Sequence, residues 1–165
     1  MTIITGFLKR KKELLEKIVE QKFEDGILEE SDSDLEALGR IAPDNTMFNM
    51  AKAFFAMPAR PQEAFNSLGY VNTLRSEKIA ICAILIYKNL IPEGLVSIEE
   101  FEALLEGTVI CYPSAEVLKL AGEIYLREFN NHQRAYQIGK RLKEMYGDST
   151  ISAQAVKEWL ESSEL

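Results

Sequence analysis

The chain predicts an all-α protein built from repeated helical hairpins, and three observations lead there. First, short segments echo one another: Met47, Met50, Ala51, Phe54 and then Ala64 correspond to Leu118, Ala121, Gly122, Tyr125 and then Ala135. Ala51 precedes Gly122 by 71 positions, as Ala64 precedes Ala135, and half of that interval is a period of about 35 residues. Second, a fainter middle copy stands where that period requires it, at Ile79, Cys82, Ala83 and Tyr87, followed after a longer turn by a helix around Phe101. Third, apolar residues recur at intervals of three and four through most of the chain, and no Asn-Gly or Asp-Gly pair is flanked by alternating apolar residues as in a β-hairpin.

Along the chain, Phe7, Leu8, Leu14, Leu15, Ile18, Val19 and Phe23 form one face of a first helix from about Ile4 to Phe23, ended by Asp25-Gly26. Ser31 to Asp34 offer capping oxygens to a short second helix that carries Leu35, Leu38 and Ile41 and stops at Pro43. Neither helix carries the repeat signature, so residues 1–43 read as an amino-terminal cap or an oligomerisation arm.

Residues 44–147 then hold three hairpins. Asp44 or Asn45 caps a helix that runs through Phe48, Ala51, Phe54 and Phe55 until Pro58 and Pro61 break it, and its partner covers about Gln62 to Val71. The second hairpin pairs Glu77–Leu90 with Ile98–Leu105 across Pro92, Gly94 and the N-cap Ser97. The third pairs Ala115–Phe129 with Gln133–Tyr146 across Asn130-Asn131. In residues 148–165, a last helix from Ile151 to Leu160 with Trp159 on its apolar stripe supplies the cap that a repeat array needs at its end, ahead of an acidic tail.

Small side chains at Ala51, Ala83 and Gly122, and at Ala64 and Ala135, fall where hairpin helices cross, letting their axes approach closely. The Leu118, Ala121, Gly122, Tyr125 and Ala135 pattern resembles the tetratricopeptide repeat over about residues 45–147, with Gly147 where that family has Pro and one residue more between Gly122 and Ala135. In size, acidity and layout the chain is similar to the small tetratricopeptide chaperones of type III secretion translocator proteins. That resemblance implies a protein-binding groove, and with no phosphate-binding glycine loop or metal-ligand spacing in the chain no cofactor is expected.

Composition bounds the function. Among 165 residues, 47% are hydrophobic and 27% charged, enough for a substantial core. The net charge of −7 disfavours nucleic-acid and anionic-lipid partners and favours a basic or amphipathic protein segment. The run Lys9, Arg10, Lys11, Lys12 is read as a solvated helix end, because Glu13, Glu16 and Glu20 follow on the next turns. No apolar run approaches the length of a membrane span, so a cytoplasmic chain is expected, without membrane insertion.

The residues for chemistry are sparse. Cys82 and Cys111 have no ligand spacing, and Cys82 lies among apolar neighbours as a buried, inert thiol would. His132, the single histidine, is placed in the turn before the last hairpin helix, and neither a metal site nor a catalytic residue is assigned. Glu99 and Glu100 open a helix, where its positive end favours them; Asp32 and Asp34 lack the spacing of a calcium loop.

Carried through the repeat alignment, the concave surface falls to Asn45, Phe48, Lys52, Phe55 and Ile84, and continues over Tyr87, Lys88, Lys119, Glu123 and Arg127. Aromatics interleaved with cations suit an extended or helical peptide. Phe54 and Phe55 are adjacent, so one of them must leave the core stripe. The function expected is therefore a non-enzymatic adaptor or chaperone. The alternative is a structural or regulatory subunit of a larger assembly, and pairing of two copies through the amino-terminal helix is a further expectation.

Overall fold

The computed structural model describes residues 2–147, and the expected helix at 151–160 with Trp159 lies outside them. Among the described residues there are eight helices and no strand: α1 (Thr2–Glu24), α2 (Ser33–Ile41), α3 (Thr46–Ala56), α4 (Pro61–Leu68), α5 (Glu77–Leu90), α6 (Ile98–Cys111), α7 (Ala115–Arg127) and α8 (His132–Tyr146). They fall into two compact units, one up to Phe101 and one from Glu102 onward. The division lies inside α6, the second helix of the expected middle hairpin.

In the first unit α3 packs against α4, α5, α1 and α2, and α1 packs along α2. Ala51, Ala53 and Ala56 of α3 and Ala64 of α4 are fully buried, and these short side chains let the two axes draw together. Met47, Met50, Ile79, Ile84 and Leu90 are buried as well. The starts of α2, α3 and α5 are each satisfied by a side-chain oxygen, whereas α4 opens on Pro61, which has no amide proton to satisfy. Asp32 accepts from the amides of Asp34 and Leu35, Asn45 from Phe48 at 3.0 Å, and Ser76 from Ile79 at 3.2 Å.

Long-range polar contacts tie the second half of α1 into this unit. Lys22 pairs with Asp32 at 2.7 Å and Asp34 at 3.1 Å. Arg75, ahead of α5, pairs with Glu16 and, at 3.0 Å, with Glu20. Asn45 donates to Glu16 at 2.7 Å, and the Lys78 ammonium donates to the Glu24 carbonyl at 3.2 Å. Together with buried Leu15 and Val19, these contacts make α1 from Leu15 onward an integral part of the first unit.

In the second unit α7 and α8 form the tightest helix pair, with Ala121 and Gly122 of α7 and Ala135 and Gly139 of α8 buried. Asn130 takes a φ of +50°, a left-handed turn residue, and Asn131 caps α8 through the amide of Arg134 at 3.0 Å. His132 is therefore the first residue of α8 rather than part of the turn before it.

Two helix ends depart from expectation by three residues or more. α6 continues six residues past Leu105 to Cys111. Nothing between them breaks a helix before Pro113, and the Thr108 hydroxyl is satisfied inside the helix by the Leu104 carbonyl at 2.8 Å. α4 stops at Leu68, three residues short of Val71, where the amide of Gly69 turns back to the Asn66 carbonyl.

Candidate functional site

A pocket of about 480 Å³ opens in the first unit beside the α3–α4 pair, lined by Pro43, Asp44, Asn49, Lys52, Asn66, Ser67 and Tyr70. Asn49 and Ser67 are buried polar residues, both 4% exposed. The Asn49 amide donates to the Pro43 carbonyl at 2.9 Å and to the Asn45 carbonyl at 2.8 Å, which anchors the start of α3 and leaves its side-chain carbonyl as the group it still offers. Asn66 accepts from Gln62 at 3.0 Å, so its own amide protons remain as donors. Lys52 is exposed, with its ammonium 5.9 Å from the centre of the Phe48 ring. Tyr70, 60% exposed, stands in the loop after α4, and that loop is pinned to the start of α3 by the Asn72 amide donating to Thr46 Oγ1 at 3.2 Å.

The pocket thus gathers one ammonium, amide and hydroxyl donors, and the Asp44 carboxylate. Such a set offers hydrogen bonds to a polar side chain or a carboxylate, beside apolar surface of comparable extent. It holds no histidine or cysteine, the side chains most readily turned to nucleophilic or general-base chemistry.

The residues expected on a concave surface have the following places. In the first unit Lys52 is exposed; Phe48, Phe55, Tyr87 and Lys88 are half-buried; Ile84 is fully buried; and Asn45, 8% exposed, is engaged in capping α3 and in its bond to Glu16. The Phe48 ring lies against Gly39 of α2, so close that a Cβ there would meet it at 2.3 Å. Burial, and next the charge of Glu100, push the Tyr87 hydroxyl above its ordinary range. Phe54 is the member of the aromatic pair that leaves the core stripe: it is 49% exposed and meets Phe23 of α1 edge to face at 5.7 Å. In the second unit Lys119 and Glu123 are half-buried and Arg127 is exposed.

Of the pocket residues only Lys52 belongs to the set read from the repeat alignment. Asn49 carried a usable signal, being the one polar residue between Phe48 and Ala51 in an apolar helix. Ser67 and Tyr70 carried none, because their role depends on how the loop after α4 folds back.

The second unit has its own polar cluster. Glu106 of α6 accepts two bonds of 2.8 Å from Arg134 of α8 and one of 2.5 Å from the hydroxyl of Tyr125 of α7. The bonds from Arg134 hold the Glu106 carboxyl below the usual range against the opposing effect of burial, and the Tyr125 bond adds to them. Tyr125, 1% exposed, has its phenol pushed well above the ordinary range, first by burial and then by its bond to Glu106. Each partner is satisfied by the others, so the cluster is a structural clasp.

Cys82 is mostly buried, which pushes its thiol up to about 11, whereas Cys111 is exposed at the end of α6. His132 is half-buried, with its Nδ1 enclosed and without a hydrogen-bond partner. Among the described residues no group of three His, Cys, Asp or Glu side chains converges as a metal site would. None of the described helices is long and apolar enough to cross a membrane. No protein-family model matches the chain, and comparison with curated proteins and with solved structures finds no match.

Proposed function

We propose that this chain is a non-enzymatic, cytoplasmic protein-binding adaptor or chaperone whose paired helices are repeat units of the tetratricopeptide kind. The reading is supported by the buried small residues that recur 71 positions apart, Ala51 with Gly122 and Ala64 with Ala135. The observation that carries it is the polar pocket beside α3 and α4, where exposed Lys52 and Tyr70 flank buried Asn49 and Ser67. Within this proposal the pocket anchors a carboxylate or amide group of a partner segment, and the acidic surface attracts basic residues flanking that anchor.

The test is capture of partners by the tagged full chain, with quantitative mass spectrometry, for the natural sequence and for Lys52→Glu and Tyr70→Ala. Both side chains are exposed, so neither change disturbs the core. Specific loss of one stoichiometric partner with both variants supports the proposal; equal recovery from all three proteins rejects the pocket as the anchor.

A further inference from the structure

The first half of α1 is unlike any other helical segment of the first unit. Every residue from Phe7 to Leu14 is exposed, and burial begins only at Leu15 and Val19. Three of these residues are large and apolar: Phe7 is 63% exposed, Leu8 45% and Leu14 60%. At about 3.6 residues per turn, Phe7 and Leu14 lie one above the other, with Arg10 and Lys11 flanking the line between them and Leu8 about 100° around the helix. An amphipathic helix of a folded protein turns such a stripe toward the core. Here the core lies further along α1, and the stripe is bare among the described residues.

The same segment carries Lys9, Arg10, Lys11 and Lys12, all exposed, with no acidic residue before Glu13. Successive helical residues turn by about 100°, so these four cations point around the whole helix rather than to one side. With them set aside, the net charge of the chain falls from −7 to −11.

This arrangement decides between occupants. A second copy packed through Phe7 and Leu14, parallel or antiparallel about the midpoint of the two, would bring each cationic run against its counterpart, and like charges so placed repel. A groove on a protein meets one side of a helix and would leave cations on the far side unneutralised. A helix sunk to the headgroup level of an anionic bilayer has negative groups on both flanks. Its apolar stripe enters the acyl boundary, and its long cationic side chains reach back to the phosphates. We infer that the Phe7–Leu14 half of α1 docks, lying in the interface, on an anionic lipid surface. The strongly acidic remainder of the chain is repelled by that surface, so the attachment is reversible and weakens with salt. The inference is independent of the pocket described above.

The experiment is sedimentation of the full chain with vesicles of phosphatidylcholine alone, and with phosphatidylserine at about one part in three, at low and physiological salt. The natural protein is expected to sediment with the anionic vesicles at least about tenfold better than with the neutral ones, and less well as salt rises. Replacing Lys9, Lys11 and Lys12 by Gln, and separately Phe7 and Leu14 by Ser, should each lower binding by about tenfold or more. These side chains are exposed, so circular dichroism and melting should not change. Failure of the natural protein to bind anionic vesicles at low salt overturns the inference, as does binding that neither variant weakens. A lipid-free dimer undone by Phe7→Ser and Leu14→Ser also overturns it, since the stripe would then be a self-interface.

Discussion

Arg134 grips Glu106 through two parallel hydrogen bonds, Nε to Oε1 and Nη2 to Oε2, both 2.8 Å long. The pair joins the first turn of α8 to the middle of α6 and is crossed by Tyr125 of α7, whose hydroxyl donates to the same carboxylate and whose ring centre lies 5.9 Å from the guanidinium carbon. One carboxylate thereby connects three helices of the second unit. A fork-shaped donor on a carboxylate is the strong form of this interaction, and half-burial of both partners limits screening by salt.

Breaking that clasp should be costly in proportion to the bonds lost. Glu106→Gln is expected to destabilise the protein by about 1–3 kcal/mol and Tyr125→Phe, which keeps the buried ring, by about 1 kcal/mol. Because both side chains bind one carboxylate, the double variant Tyr125→Phe with Arg134→Ala should depart from additivity by about 0.5 kcal/mol or more in urea unfolding. Strict additivity would show that the two bonds act separately.

Acid stability follows from the same carboxylate. Folding lowers the Glu106 pKa below its ordinary value of 4.5, so the unfolded chain takes up the proton first as pH falls. The stabilisation is complete above that value and is lost as pH drops toward the folded pKa. Asp32 acts in the same direction in the first unit. Burial alone would raise its pKa, but the bond from Lys22 and the amides of Leu35 and Asp34 outweigh burial. The melting temperature of the natural protein should therefore decline below about pH 4.5. A Glu106→Gln protein should show a shallower decline, and an unchanged slope would assign acid sensitivity to other groups.

Gly39 is a position where adding one carbon should do harm. Alanine in mid-helix normally gains about 1 kcal/mol over glycine. At Gly39 its Cβ would stand 2.3 Å from Cε1 and 2.5 Å from Cζ of Phe48, so the ring must move. Gly39→Ala is expected to destabilise by about 1–3 kcal/mol, and Phe48→Leu in the same chain should recover part of that loss. A stabilised Gly39→Ala protein in chemical denaturation would mean that the ring relocates at little cost.

The two thiols should separate kinetically. Cys111 is exposed, while Cys82 is mostly buried with its pKa pushed up to about 11. Labelling of the native protein with a chromogenic disulfide near neutral pH should show one fast thiol, removed by Cys111→Ala, and a second that reacts only in denaturant. Two fast thiols would place Cys82 in a segment that opens readily.

Local signals were legible in the chain wherever neighbours in sequence settle the outcome. The apolar periodicity and Pro92 bound α5, Asn45 caps α3, and Asp25-Gly26 ends α1 with Gly26 at a φ of +72°. The small residues at Ala51, Ala64, Gly122 and Ala135 could be placed at helix crossings because spacing along a helix fixes which positions share a face. The far end of α6 was less legible, since the run after Leu105 contains Gly107 and β-branched residues that weaken a helix without ending it.

By itself, then, the sequence determined the all-helical class, the order of the helices and the caps of α2, α3 and α6. These depend on hydrogen bonds and side-chain directions within a few residues, which composition and spacing specify. Only the tertiary structure decided that Glu16 and Glu20 hold Arg75 from 59 and 55 positions away, and that Glu106 gathers Tyr125 and Arg134. It also decided that a pocket opens beside Lys52 and that Phe7, Leu8 and Leu14 stay uncovered. Each of these depends on which helix faces meet, and an apolar stripe in sequence looks the same whether another helix covers it or none does.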